Sequence, residues 1–217
     1  MRKIKLMVLT VLILSAVIIT GCSKSSDDTK TNTDNRTNTT ASNKGKKLNI
    51  VASESKLGWL GKKVTGQHNG TVDIKQGELF VENGKLTGGS FEFDFNTIKV
   101  LDIEDPETNA KLTGHLKSDV FFSATSHPIG KFVITSITPG SDGNYNIIGN
   151  LTIKSISKEV SFPAKVNING DVVTSSADFN IDRTLWEIKY GSGKFFENLG
   201  DKLINDDFNI KFNITAK

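Results

Sequence analysis

The chain has 217 residues, with 27 Lys and Arg against 24 Asp and Glu and a formal charge of +3. Its single cysteine, Cys22, leaves no partner for an internal disulfide or a thiolate metal cluster. Arg2, Lys3 and Lys5 supply the whole excess of positive charge, so the remainder carries 24 basic against 24 acidic residues and no global field that would recruit nucleic acid.

The basic start, Met1 to Lys5, is followed by an uncharged apolar run from Leu6 to Thr20. That run is shorter than the roughly 20 residues that span a bilayer, and it reads as the core of a secretory signal. Ile19-Thr20-Gly21-Cys22 is similar to the bacterial lipobox, which implies a signal peptide over 1–21 cut before Cys22 and acyl chains on that cysteine. The alternative is an ordinary signal with a chance cysteine. Acyl chains contribute about 0.8 kcal/mol per buried CH₂, enough for a firm anchor. The expected location is therefore the cell envelope, lipid-anchored, on the periplasmic face or the cell surface. Residues 22–47 are expected to be the acylated cysteine and a disordered linker, because the stretch after Cys22 has no aromatic and no aliphatic side chain larger than alanine. Residues 48–217 remain for one domain with a single core.

Within that domain apolar residues recur with period two. Val64, Gly66, His68, Gly70, Val72 and Ile74 share one parity, and Phe91, Phe93 and Phe95 alternate with Glu92, Asp94 and Asn96. Asp105-Pro106 supplies an N-cap and a first-turn proline, and Leu112 and Leu116 follow at i, i+4, which predicts one helix over about 106–118. Tyr145 to Ile153, Val160 to Ile168, Ala177 to Ile181 and Phe208 to Ala216 repeat the alternation. Turns are expected at Gln76-Gly77, Glu82-Asn83-Gly84, 139–143 and Asn169-Gly170. Eight to ten strands with one wet face each predict an all-β antiparallel sheet closed into a barrel; a β-sandwich is the alternative.

Catalytic signatures are sparse. There is no Gly-x-Ser-x-Gly elbow, and Gly191-Ser192-Gly193-Lys194 lacks the first glycine of a phosphate-binding loop, since Ile188 stands there. His68, His115 and His127 have no metal-ligand spacing, so a zinc site built from them is a minor alternative and no metal is expected. Arg183, the only arginine after residue 36, shares the parity of Phe179 and Ile181 and so points inward. An inward guanidinium needs carboxylates, carbonyls or a ligand; an ion pair at the strand end, for instance with Asp201, is the favoured reading. For His68 a structural hydrogen bond is favoured in the same way.

Five segments in order carry a family resemblance: WLGKKVTGQHNGTV from Trp59, GKLTGGSFEFDFNTIKVLD from Gly84, GHLKSDVFF from Gly114, GNLTIKSISKEVSFPAKV from Gly149, and IDRTLWEIKYGSGKFFENLGDKLINDDF from Ile181. His127-Pro128 and Lys131-Phe132 fall between the third and fourth. Together they resemble the YceI-like, lipocalin-like polyisoprenoid-binding proteins over nearly all of 48–217. Ser155-Ile156-Ser157 departs from a common Gly-Val-Thr, and His127 from a common aromatic. The resemblance implies an extended lipocalin-like barrel of about eight antiparallel strands around an apolar channel that holds an isoprenoid or other amphiphilic lipid.

All 13 phenylalanines lie in this domain. The inward register nominates Phe91, Phe93, Phe95, Phe132, Ile134, Phe179 and Trp186 as channel lining, with His68 and Arg183 as candidate polar contacts. The same rings would serve equally in a solid core. The expectation is a tethered lipid-binding protein without catalysis or cofactor; a ligand-free interaction module on the same barrel is the alternative. Partners are then a lipid and, through Cys22, a membrane, with the Leu57–Leu60 region or an exposed edge strand offering a surface for a homodimer.

Overall fold

The computed structural model describes residues 39–217. Cys22, the expected signal and residues 23–38 of the expected linker lie outside the described residues. Among the described residues there are ten strands: β1 (Thr39–Thr40), β2 (Lys46–Asn49), β3 (Lys56–Lys63), β4 (Gly66–Glu82), β5 (Lys85–Val100), β6 (Ile129–Pro139), β7 (Asn144–Ile153), β8 (Ile156–Asn169), β9 (Val172–Asp182) and β10 (Asp207–Ala216). Each of β3 to β10 pairs antiparallel with the next, and β10 pairs back onto β3 through Asn209↔Leu60 to Asn213↔Lys56. Eight strands thus form a closed antiparallel barrel, which removes every long open edge. Among the described residues there is one α-helix, α1 (Pro106–Lys117), and it begins where the sequence predicts. Asp105 caps it by accepting the Thr108 amide at 2.8 Å, and Leu116 is the residue it buries.

The two ends of the barrel differ. One carries α1, the β3–β4 hairpin and the long 183–206 connection, and is called the helix end here. The other carries β1, β2, the β4–β5 hairpin and the C-terminus. Here the expected disorder through residue 47 is corrected. Thr39 and Thr40 pair with Ile137 and Ser136, and the Ala41 and Ser42 amides bond to the carbonyls of Thr135 and Thr87. β2 pairs with the second half of β4, along the edge that β3 does not cover. This polar chain is ordered by backbone hydrogen bonds into the gap where β5 and β6 diverge, an effect that composition does not reveal.

Two smaller expectations also change. Gln76-Gly77 is not a turn; it lies inside the 17-residue β4, beside a register shift between Ile74 and Gln76. Val64 is not on a strand face but at the tip of the β3–β4 hairpin, exposed to solvent. Pro163 lies within β8 just before its pairing with β9 begins at Ala164↔Ala177, where one flank of the strand is open.

Candidate ligand-binding site

The inner face of the barrel is a cluster of phenylalanines. Phe162 stacks on Phe179 with centroids 4.1 Å apart, stands edge-on to Phe212 at 5.8 Å and lies 5.4 Å from Phe132. Phe91 meets Phe132 at 5.6 Å, and Phe93 meets Phe95 at 5.4 Å. These rings surround a cavity of about 60 Å³ lined only by apolar side chains and one glycine. A cavity of about 150 Å³ takes one benzene, so the interior in this arrangement is a narrow seam between rings. Glycine makes part of that packing feasible: a Cβ at Gly130 would overlap the Phe93 ring.

Of the side chains nominated from sequence, Phe91, Phe93, Phe95, Phe132 and Phe179 border the cavity. Ile134 does not; it is half-buried beside the β6–β7 register shift at Ile134/Ser136. Trp186 does not either. It sits in the 3₁₀ turn Arg183–Trp186, fully buried, with its indole N–H donating to the Leu151 carbonyl at 3.0 Å. The turn that carries it lies against β8. Phe162, Phe212, Phe208 and Trp59 line the cavity without having been nominated. Alternation marked Phe162, Phe212 and Phe208 as inward, though not Trp59, and nothing in parity separates a lining ring from a packed one.

Arg183 belongs to neither the cavity nor its mouth. Its guanidinium is 3 % exposed and donates to four carbonyls: Ile188 at 2.6 Å, Tyr190 at 2.9 Å, Asn205 at 3.0 Å and Ile204 at 3.1 Å. Its carboxylate neighbour is Asp206, 3.6 Å away, rather than Asp201. Burial lowers the Arg183 pKa, and Asp206 and Asp182 oppose that shift. The residue ties the 183–206 connection into a fixed shape.

The helix end opens into a vestibule of about 250 Å³ whose walls include Trp59, Lys62, Lys63, His68, His115 and Tyr190. His68 Nδ1 lies 2.8 Å from Asp102, which also accepts the Asn69 amide at 3.0 Å. His115 stands edge-on to Tyr190 at 4.6 Å and to Phe121 at 5.0 Å. His127 is elsewhere, with Nδ1 3.0 Å from the Ser155 hydroxyl. Among the described residues no group of three His, Cys, Asp or Glu is arranged to hold a metal. Trp59 borders both spaces and separates them. Its ring lies on Gly70, where a Cβ would meet the indole at 2.6 Å.

Several carboxylates at this end titrate low, Asp102 and Asp182 among them. Burial pushes Asp102 up, but the Asn69 amide and His68 outweigh it. Burial likewise pushes Asp182 up, against Lys194 and Thr184, and the net shift is downward. A carboxylate whose folded pKa is depressed stabilises the fold fully above its ordinary range near pH 4, and that stabilisation is lost as pH falls through the depressed value. The urea midpoint should therefore hold steady from pH 7 to about 5 and drop below about 4. Asp182→Asn should flatten the drop in urea titrations at stepped pH.

The model of the YceI-like domain matches residues 48–216. The chain belongs to the YceI-like family. Two curated relatives are each described as a UPF0312 protein. That of Shewanella denitrificans is 30 % identical over 121 residues, 56 % of this chain and 58 % of the relative. That of Pectobacterium carotovorum is 36 % identical over 66 residues, 30 % and 34 % of the two chains. The matched part is thus less than two thirds of either relative. Among solved structures, Burkholderia cenocepacia BcnA superimposes with a TM-score of 0.63 at 22 % identity, covering 77 % of this chain and 99 % of BcnA. A polyisoprenoid binding domain from Saccharophagus degradans, implicated in plant cell wall breakdown, gives 0.58 at 10 % identity over 78 % and 97 %. At these identities the structural likeness establishes the YceI-like barrel, not a ligand.

Proposed function

We propose that this YceI-like protein is a membrane-tethered carrier that holds an isoprenoid or similar amphiphile inside the barrel, with no chemistry of its own. The observation that carries the reading is an interior lined only by apolar groups that meets a largely apolar vestibule, with Lys62, Lys63 and His68 among its walls, across a single indole at one end. The polyisoprenoid binding domain of the same fold supports it. So does the distribution of exposed large apolar side chains: among the described residues Val133 and Val172 lie elsewhere, but Val64, Leu101, Val120, Leu185, Tyr190, Phe195 and Phe196 lie on the connections of the helix end. A rim of that kind suits exchange with a lipid surface.

The narrow seam means that a tail enters by moving rings. Burying apolar carbon at about 0.8 kcal/mol per CH₂ returns roughly 4 kcal/mol for each five-carbon unit as an upper value, against about 1–3 kcal/mol for core repacking. Two or three units are enough to open the interior. The expected result is that prenols raise the melting temperature progressively as the chain grows from one unit to four. A flat response would favour the second reading, an interaction module with a solid interior, which the small cavity volume supports. Tethering is tested separately: Cys22→Ser should move the protein from the membrane fraction to the soluble one, and unchanged membrane retention would refute the acyl anchor.

A further inference from the structure

Breaks in the barrel's ladder are covered by other stretches of chain. β2 lies along the second half of β4, and residues 49–51 bond to the end of β10. Where β5 and β6 part, residues 39–42 fill one side, and on the other the Pro128 carbonyl accepts the Phe95 amide. The break between β8 and β9 is different. Their pairing runs from Asn169↔Val172 to Ala164↔Ala177 and stops, although β8 begins at Ile156 and β9 continues to Asp182. The Arg183–Trp186 turn lies against β8, and among the described residues no other segment pairs with the open stretch.

Proline ends the ladder at this point. The Val166 amide donates to the Gly143 carbonyl beside β7, so by alternation Phe162 and Ala164 also bond toward β7, while Lys165, Pro163 and Ser161 face β9. The rung after Lys165↔Ser176 therefore falls on Pro163, which has no N–H to give. Side chains alone close the gap. Phe162 and Phe179 stack across it with centroids 4.1 Å apart, and both rings border the apolar cavity, as does half-buried Val160. Trp59, which closes the cavity toward the vestibule, sits on a strand paired on both sides, through Gly70 and Ile210. Phe162 and Phe179 each sit on a strand with one free flank.

We propose that a lipid tail enters and leaves the barrel sideways, between β8 and β9, with the stacked Phe162 and Phe179 as the gate. This rests on the reading of the interior as the tail site. Parting the two rings breaks a stack and no rung of the ladder, whereas a path along the axis must displace Trp59 from between two paired strands. Leu185, exposed on the turn beside the gap, joins it to the apolar rim of the helix end.

The test is stopped-flow uptake of farnesol by the full chain, followed by tryptophan fluorescence. Ser161→Cys/Asn180→Cys puts thiols on the two lips, at positions that fall opposite each other when the register is continued, and Lys165→Cys/Ser176→Cys puts them on the last closed rung of the same strands. Oxidising the lip pair should slow uptake and release alike by about tenfold or more, with Kd within about twofold, because a gate sets rates and not the end state. Oxidising the rung pair should change neither. Pro163→Thr returns an amide to the open rung and should slow both rates in the same way, so a lip bond that fails to form does not blunt the test. Unchanged rates in the oxidised lip pair, or in Pro163→Thr where that bond does not form, overturn the lateral gate and leave the carrier reading intact. Equal slowing by both cross-links does the same, since stiffening of the strands then accounts for it. Failure of the parent protein to bind farnesol overturns the carrier reading, and this inference with it.

Discussion

Arg183→Ala should destabilise the protein by about 3–5 kcal/mol, a large effect for a residue outside the cavity. The substitution removes the donor for four carbonyls at 2.6 to 3.1 Å and leaves Asp206 beside a void. A buried carbonyl that loses its partner costs about 1–3 kcal/mol, and relaxation of the 183–206 connection recovers part of that sum. Lysine should rescue little, because a single ammonium cannot reach four acceptors arranged around a planar fork. Urea denaturation measures the loss. Limited proteolysis should place the first cuts in 183–206, since that connection depends on the guanidinium for its internal bonds. A loss below about 1 kcal/mol would mean that Trp186, rather than Arg183, holds the connection down.

Phe162→Ala should have an effect of similar size on stability and the opposite effect on ligand uptake. Phe162 is 3 % exposed and touches Phe132, Phe179 and Phe212, so truncation costs about 3–5 kcal/mol through lost burial and residual cavity. The same truncation widens the seam by about the volume of a ring. Ligand that binds only the folded state adds RT ln(1 + [L]/Kd), about 2.7 kcal/mol at a hundredfold excess over Kd. A prenol should therefore stabilise the variant by more than it stabilises the parent, in paired thermal melts. If Phe162 belongs to a solid core, the variant loses the same stability and gains nothing from the ligand. The charge of a replaced ring is a poor probe by comparison, because Phe93 and Phe132 are both buried, and an ionised side chain there unfolds the barrel before uptake can be measured.

How much of this was legible in the sequence depends on whether the signal was local. Alternation along Phe91–Phe95 and Phe208–Ala216 follows from the pleat, and the Asp105-Pro106 cap from helix termini, so both survive in three dimensions. Gln76-Gly77 imitates a turn but is absorbed by a register shift in a long strand, which only the neighbouring strand determines. The ordering of 39–47 is likewise non-local, because it depends on the divergence of β5 from β6. Phe162 stood on an alternating face without being nominated and Trp186 was nominated, yet the first borders the seam and the second lies outside it, fully buried and bonded to Leu151. Arg183 was read as inward and partnered, and its partners turned out to be carbonyls that the 183–206 connection brings round from up to 22 residues away.

The most direct measurement is native mass spectrometry of the full chain released gently from bacterial envelope, followed by lipid extraction. The carrier account predicts a stoichiometric mass excess that survives desalting and that, once extracted, proves to be a single prenyl-chain lipid. A protein that flies at its bare polypeptide mass, allowing for the acyl groups proposed on Cys22, and stays there after incubation with prenyl lipids would contradict it.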